Sequence, residues 1–221
     1  MHADLDRVLI DRDALSRRVG ELAREIGAAF RADRSDPAAP APEITLVPLL
    51  TGSLIFVADL MRQIPAPLRI HALSVSSYPG VATTAQTVSF DDTLDALPDD
   101  LSGRRVLVVD DILDSGATLR AVCGKIAERR PAGLNTAVLL RKRRDDLTDD
   151  DGRDTRPAVD FAAFDIPDAF VVGYGLDFDG WYRNLPEIGV LRADVIARAQ
   201  HRAATAAAAS AAPGPDGAAA P

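Results

Sequence analysis

The most informative stretch of this chain reads VLVVDDILDSGATL and occupies residues 106–119. Its leading apolar run indicates a buried strand, because such runs are typical of strands covered on both faces. Two acids follow, and a short turn containing Ser115, Gly116 and Thr118 then opens a helix. A helix N-terminus presents unpaired N–H groups and a positive dipole, and glycine lets a backbone approach an anion closely. The stretch therefore indicates a phosphate-sized anion site between a strand and a helix.

Asp110 and Asp111 stand at the carboxyl end of this strand, where parallel sheets bind their ligands. Ionised carboxylates only accept hydrogen bonds, so these two acids cannot hold a phosphate themselves. They suit a ribose diol, contacted directly or through a hydrated magnesium ion. A plain connection between strand and helix, with no ligand, fits the same spacing, because isolated glycine motifs are weak signals.

Apolar runs and amphipathic segments alternate through the rest of the first 140 residues. Apolar residues three or four apart and capping residues predict helices at 13–30, 53–62 and 116–129. Short apolar or β-branched runs predict strands at 44–50, 69–77, 105–109 and 134–140. Strands that alternate with helices imply crossover connections and a largely parallel sheet. The expected fold class is α/β, with helices on both faces of the sheet.

Two segments are expected to lie outside this fold. Residues 143–157 are rich in Asp and Arg and poor in apolar residues, which predicts a solvated surface loop. Residues 203–221 are rich in Ala with Gly, Pro and Ser and lack an amphipathic face, which predicts a disordered tail. The expected division is thus a domain over 1–202 followed by the tail.

Composition narrows the setting of the protein. The formal charge of −8 argues against nucleic-acid binding, for which a basic face is the usual footprint. The single cysteine, Cys123, excludes an intramolecular disulfide framework and zinc sites built on several cysteines. No stretch is apolar enough for a membrane span, and the N-terminus lacks the pattern of a secretory signal. A cytoplasmic location, without a membrane partner, is the expectation.

The motif at 106–119 resembles the phosphoribosyl-pyrophosphate motif of type I phosphoribosyltransferases: an apolar strand, two acids, two apolar residues and an Asp-Ser-Gly-x-Thr loop. Four further segments resemble the 6-oxopurine members of that family. They are the loop at 50–60, the start of a closing loop at 76–78, and the purine segments at 164–177 and 182–191. The resemblance extends from about residue 44 to 191 and implies a mostly parallel twisted sheet with a small hood built from the terminal segments.

The resemblance implies that different residues bind different parts of phosphoribosyl pyrophosphate. Asp110 and Asp111 would hold the ribose hydroxyls, and Thr51, Gly52 and Arg183 would hold pyrophosphate. Mg²⁺ is the implied cofactor, with Asp110, Asp111 and Asp177 as the residues on the metal side. An arginine in a surface salt bridge is the alternative for Arg183. The 5′-phosphate would be wrapped by the loop at 114–118, whose implied ligands are Ser115, Gly116, Ala117 and Thr118.

The purine would meet a second set of residues. By the resemblance, Asp114 exchanges a proton with purine N7, Lys142 donates to the 6-oxo group, and Phe170 stacks on the base. Val171 would contact the base edge through its backbone, and Tyr78 would cover the reacting centre in a closing loop at 77–90. Four of these residues have a structural alternative. Asp114 could be a helix N-cap and Lys142 part of a solvated basic patch. Phe170 could be a core phenylalanine and Tyr78 an exposed turn residue.

The implied activity is transfer of a 5-phosphoribosyl group to hypoxanthine or guanine, as in purine salvage. The alternatives are a nucleotide-sensing regulator that keeps the sugar-phosphate pocket, or a relative that prefers xanthine. The implied partners are the small-molecule substrates and further copies of the chain in a homodimer or homotetramer. Two positions depart from the family pattern: the family often has Glu where Asp110 stands, and Lys or Arg where Thr51 stands.

Overall fold

The structure is a computed structural model that describes residues 1–32, 42–77, 88–89, 96–149, 151 and 153–210. Its helices are α1 (Arg12–Ala32), α2 (Leu54–Met61), α3 (Ala117–Glu128) and α4 (Ala193–Ser210). Its strands, in chain order, are β1 (Leu5–Ile10), β2 (Ile44–Leu50), β3 (Leu68–Ile70), β4 (Leu73–Ser74), β5 (Ser76–Ser77), β6 (Val88–Ser89), β7 (Arg105–Leu113), β8 (Gly133–Lys142), β9 (Phe161–Ile166), β10 (Val171–Val172) and β11 (Ile188–Leu191).

The central sheet has the order β3-β2-β7-β8-β9, and all of its strand pairs are parallel. Successive residues of β7 point to opposite faces. Leu107 and Val109 pack in the cluster that contains α1 and α2, whereas Val106 and Val108 pack in the cluster that contains α3. Both faces of the strand are therefore covered, which explains its continuous apolar run. The predicted α/β fold with helices on both faces is confirmed.

A second, smaller sheet joins the two ends of the chain. Its order is β1-β11-β10, and both of its strand pairs are antiparallel. Val195 and Ile196 of α4 pack against its cluster. This sheet is the hood that the resemblance implies. In the part of the chain that the structure describes, no helix combines the length and the apolar character that crossing a bilayer requires.

Several element boundaries differ from the sequence predictions. The strand expected at 69–77 is split into β3, β4 and β5, and β4 pairs with the end of β2 beyond β3. Strand β7 continues to Leu113, because parallel pairing with β8 extends to Leu113 and Arg141. Asp110 and Asp111 therefore lie within the paired part of β7 and not after its end. Ser53 precedes α2 as predicted, but its hydroxyl donates to the carbonyl of Leu49 instead of capping the helix.

The expectation of a solvated loop at 143–157 is wrong for its two ends. The segment contains a 3-10 turn at Asp145–Leu147 and an isolated β-bridge between Thr148 and Asp154. The side chain of Arg156 is only 5% exposed, because it is paired with Asp154 and donates to backbone carbonyls of another segment. Ion pairs and backbone acceptors thus order a segment that has few apolar residues.

The expectation of a disordered tail from residue 203 also needs correction. Helix α4 continues to Ser210, so the backbone is helical over the first eight residues of that segment. Alanine has the highest intrinsic helix propensity, and a helix already started by packed residues extends at little cost. Residues 211–221 lie outside the described residues.

Candidate functional site

A cavity of about 570 Å³ opens where β2 and β7 end and α3 begins. This is the edge at which parallel α/β sheets bind ligands. The structure brings most of the sequence-predicted site residues together here. Those that line the cavity are Thr51, Gly52, Asp110, Asp111, Asp114, Ser115, Gly116, Ala117, Thr118, Asp177 and Arg183.

The turn at 114–118 has the shape of an anion-binding loop. Gly116 precedes α3 with a φ of +74°, a left-handed conformation that glycine adopts without steric cost. Gly116 stands at the N-cap of α3, and the hydroxyl of Ser115 accepts from the N–H of Ala117 at 3.4 Å, so the Asp114 carboxylate does not serve as the helix N-cap. The N-terminal end of α3 faces the cavity with Ala117 and Thr118, and its dipole and N–H groups favour an anion there.

The paired acids carry a strong electrostatic penalty. Burial and the neighbouring charge of Asp111 raise the pKa of Asp110 well above its ordinary value. Burial also raises the pKa of Asp111. The Asp111 N–H donates to Asp110 Oδ1 at 2.9 Å, which orients the first carboxylate. Adjacent carboxylates of this kind suit hydroxyl donors or a cation, either of which relieves the repulsion.

This penalty makes Asp110→Asn a stabilising change in the unliganded protein. Because the pKa of Asp110 is raised by folding, the penalty is absent at low pH, grows as pH rises above the ordinary Asp value, and is full above the raised pKa. We expect the melting temperature to rise at pH 7–8, by about 2–4 °C for each kcal/mol relieved in a chain of this size, and to match the wild type near pH 3.

Asp151→Asn is the matched control for this measurement. Asp151 is an exposed carboxylate that pairs with Arg153 on the surface, and surface substitutions of this kind usually change stability by less than about 0.5 kcal/mol. Thermal unfolding followed by calorimetry across pH 3–8 makes the comparison. An Asp110→Asn variant less stable than the wild type at pH 8 would contradict the assigned repulsion.

Arg183 and Asp177 form an ion pair at the rim of the cavity. Arg183 Nη2 lies 2.7 Å from Asp177 Oδ1, and Arg183 Nη1 donates to the carbonyl of Gly175 at 2.7 Å. Asp177 Oδ2 also accepts from the N–H of Gly180. The surface salt bridge considered for Arg183 is therefore present, but it lies on the cavity wall, where a guanidinium can also reach an entering anion.

The metal prediction is supported only by the chemistry of the donors. Among the residues that the structure describes, no group of three or more His, Cys, Asp or Glu side chains is arranged to hold a metal ion. Mg²⁺ commonly takes one or two protein carboxylates and completes its shell with water and substrate phosphates. Asp110 and Asp111 fit that requirement, whereas Asp177 is already engaged by Arg183.

Asp114 is held between two cations. Lys142 Nζ lies 3.0 Å from Asp114 Oδ2, and Arg144 Nη1 pairs with Asp114 Oδ1. Asp168 completes the cluster, 3.2 Å from Lys142 Nζ and 3.5 Å from Arg144 Nε. The Lys142 side chain is 12% exposed, so it is not part of a solvated patch. Sequence reasoning missed Arg144, because one arginine in a basic run carries no distinguishing signal.

Asp114 lines the cavity, but the other purine residues that the structure describes, Lys142 among them, do not. Phe170 is 42% exposed and meets the ring of Phe178 edge-on at 5.2 Å, so it is not a core residue. Val171 is buried in β10. Neither residue belongs to the cavity lining. Tyr78 and most of the expected closing loop at 77–90 lie outside the described residues, apart from the antiparallel pairing of β5 with β6.

The fold and this cavity define an α/β protein with an anion-binding type of loop at the carboxyl edge of its parallel sheet, as in proteins that bind sugar phosphates. The phosphoribosyl transferase domain family matches residues 13–179. The chain belongs to this family.

The relatives of the chain define the branch of the family. The hypoxanthine-guanine phosphoribosyltransferase of Mycobacterium avium is 39% identical over 189 residues, which cover 85% of this chain and 86% of that one. The structure of Trypanosoma cruzi hypoxanthine phosphoribosyltransferase in complex with the product IMP superposes with a TM-score of 0.71 at 30% identity, covering 90% of this chain and 97% of that chain. The resemblance to 6-oxopurine phosphoribosyltransferases is confirmed.

A third similarity bears on assembly. Another T. cruzi hypoxanthine phosphoribosyltransferase structure has a TM-score of 0.73 at 33% identity and covers 89% of this chain and 96% of that chain. That structure addresses the role of the C-terminal region in the oligomeric state and activity of the T. cruzi enzyme.

Proposed function

We propose that this protein transfers a 5-phosphoribosyl group from phosphoribosyl pyrophosphate to N9 of hypoxanthine or guanine, forming IMP or GMP and pyrophosphate in purine salvage. The supporting observation is that one cavity joins an anion-binding helix start, a carboxylate pair and an arginine. These three features match the phosphate, the ribose diol and the pyrophosphate of a single substrate.

The described residues divide the substrate among themselves. The loop from Ser115 to Thr118 binds the 5′-phosphate through main-chain N–H groups and hydroxyls, and Asp110 and Asp111 accept from the ribose hydroxyls. Thr51, Gly52 and Arg183 receive pyrophosphate, so positive charge is available where negative charge develops as the anomeric C–O bond loosens. These three sets of contacts fix the position of the anomeric carbon, and this orientation of the substrate accounts for much of the rate enhancement.

The purine occupies the side of the cavity where Lys142 approaches Asp114. In the unliganded protein these two side chains are paired with each other. An entering 6-oxopurine replaces that pair: Lys142 donates to the 6-oxo oxygen, and Asp114 exchanges the proton at N7. Phe170 stacks on the base, and the backbone of Val171 meets the base edge. The partial exposure of Phe170 leaves a ring face available for stacking.

The proposed cofactor is Mg²⁺, which Asp110 and Asp111 would hold on the protein side; Asp177, the third residue that the resemblance implies, would join them by leaving its ion pair with Arg183. When bound, Mg²⁺ supplies positive charge to the pyrophosphate oxygens. Tyr78, within the expected closing loop, is proposed to cover the site and exclude water.

The location, domain bounds and assembly of the enzyme are also proposed. Its location is the cytoplasm, its catalytic domain is 1–202, and residues 203–221 are dispensable for turnover. The packing of Val195 and Ile196 supports this division, because the start of α4 makes its contacts with the hood. A homodimer or homotetramer is the proposed assembly, by analogy with the family.

Competition among hypoxanthine, guanine, xanthine and adenine tests the function. With Mg²⁺ and phosphoribosyl pyrophosphate, purified protein should form IMP and GMP. Adenine should react at least about 100-fold less efficiently, because its amino group would face the Lys142 donor and leave buried polar groups unpaired. Chromatographic separation of the nucleotide products gives the relative kcat/KM values.

Each other outcome identifies a specific error. Nucleotide binding without turnover of any base would favour the sensing regulator. A preference for xanthine would place the protein with the other enzyme alternative, and adenine as the best substrate would show that the Lys142 assignment is wrong.

A further inference from the structure

The phosphate loop is supported from behind by the segment 143–157. Arg156 Nη1 donates to the carbonyl of Asp114 at 2.9 Å and to that of Leu113 at 3.3 Å. Arg156 is not among the residues that line the cavity. It therefore contacts the loop from outside the cavity.

Arg156 is fixed in place by its own surroundings. Its side chain is 5% exposed, and its Nε and Nη2 atoms pair with Asp154, the closest approach being 2.6 Å. The N–H and hydroxyl of the intervening Thr155 both donate to the carbonyl of Leu147 at 2.9 Å. Arg120 of α3 donates to the carbonyl of Thr155. A buried guanidinium with this many partners has one defined position.

A neighbouring contact reaches the glycine of the loop. A methyl group built on Gly116 would lie 2.5 Å from Pro157 Cδ, so the proline ring packs directly against the glycine backbone. The two ends of the segment 143–157 thus make three contacts with the loop. Arg144 pairs with the side chain of Asp114, and Arg156 donates to the carbonyl of Asp114. Pro157 packs against the backbone of Gly116.

Peptide geometry converts this support into an effect on ligand binding. In a planar trans peptide the C=O and the following N–H point in opposite directions. Holding the Asp114 carbonyl on Arg156 therefore also sets the direction of the Ser115 N–H, and holding the Leu113 carbonyl sets that of the Asp114 N–H. A loop that binds phosphate through its amides depends on these directions.

We infer that Arg156 is a positioning residue for the 5′-phosphate: it orients the amides of the loop at 114–118 without touching the substrate. The segment 143–157 then holds the phosphate loop in position and is not only a surface loop. This inference rests on the proposed function, because it assumes that the loop binds the phosphate of a nucleotide.

Arg156→Met tests the role, because methionine keeps the apolar stem and removes every donor. We expect the Kd for GMP to rise on the order of tenfold, since a small misplacement of binding groups weakens their contacts strongly. The Kd for pyrophosphate with Mg²⁺ should stay within about twofold, because the hydrogen bonds of Arg156 go to Leu113, Asp114 and Asp154 and not to the proposed pyrophosphate ligands. A purely structural role would weaken both ligands together or lower the melting temperature alone. Calorimetric titration of each variant with each ligand separates these results.

Two further variants keep the inference testable even if Arg156→Met does not fold. Asp154→Asn keeps the arginine but removes the carboxylate that orients it, and should weaken GMP in the same direction by about threefold. Arg153→Met is the matched control, because Arg153 is 75% exposed and its side chain pairs with the exposed Asp151 within the segment. It should leave both dissociation constants unchanged.

The outcomes separate the two levels of the argument. Wild-type protein that binds GMP, with unchanged affinity in both Arg156→Met and Asp154→Asn, would overturn the positioning role alone. Wild-type protein that binds neither GMP nor pyrophosphate would overturn the proposed function as well as this inference.

Discussion

Replacing Asp114 by asparagine is expected to lower kcat for IMP formation by about 10²–10⁴-fold, the range typical of a lost general acid or base. Asparagine has nearly the same shape but cannot take or return the proton at purine N7. Its amide oxygen still accepts a hydrogen bond, so one of the two cations that now pair with Asp114, Lys142 at Oδ2 or Arg144 at Oδ1, keeps its acceptor. The Kd for GMP should therefore change by only a few-fold. Steady-state kinetics and titration with GMP measure the two effects separately.

Asp168→Asn controls for the loss of negative charge in the same cluster. Asp168 lies 3.2 Å from Lys142 Nζ and 3.5 Å from Arg144 Nε, but it is 54% exposed and absent from the cavity wall. Its removal should change kcat by less than about threefold, because exposed ion pairs contribute little. An Asp114→Asn variant that turns over as fast as Asp168→Asn would show that Asp114 moves no proton in the reaction.

Replacing Gly52 by alanine is expected to lower kcat/KM for phosphoribosyl pyrophosphate by about 10²-fold or more, as misplaced binding groups do. A methyl group at this position would overlap the carboxylate of Asp111. The loop has little room to move, because the backbone of Gly175 also packs closely against the carbonyl of Gly52. Either Asp111 leaves its place beside the ribose, or the pyrophosphate loop moves.

Gly124→Ala is the control for adding a methyl group. Gly124 lies within α3, and a methyl group there would meet no atom within 4 Å. Alanine in a helix interior is favoured over glycine by about 0.5–1 kcal/mol, so this variant should be at least as stable as the wild type, with unchanged kinetics. If Gly52→Ala kept a wild-type KM for phosphoribosyl pyrophosphate, the close packing of Gly52 on Asp111 would have no part in binding.

The two predictions concern residues to which the family resemblance assigned a role, yet their effects depend on contacts that the resemblance does not give. The motif at 106–119 placed Asp114 and the acid pair on a strand and loop, because strand, turn and helix signals are local. The partners of Asp114 come from β8 and the segment after it, 28 and 30 residues further along the chain. Spacing within one motif does not reveal such partners.

The sequence alone was sufficient for the alternation of strands and helices, the parallel sheet, and the position of the predicted phosphate loop between β7 and α3. Each of these depends on hydrophobic periodicity and on turn residues a few positions apart. Only the tertiary structure decided that β7 runs past its two acids, that 69–77 is divided into three strands, and that Arg144 and Arg156 reach the phosphate loop. The physical reason is that the ends of these strands are set by pairing with strands distant in the sequence, and the partners of Arg144 and Arg156 are set by which segments lie nearby. Strand pairing and side-chain partners both depend on how the whole chain packs.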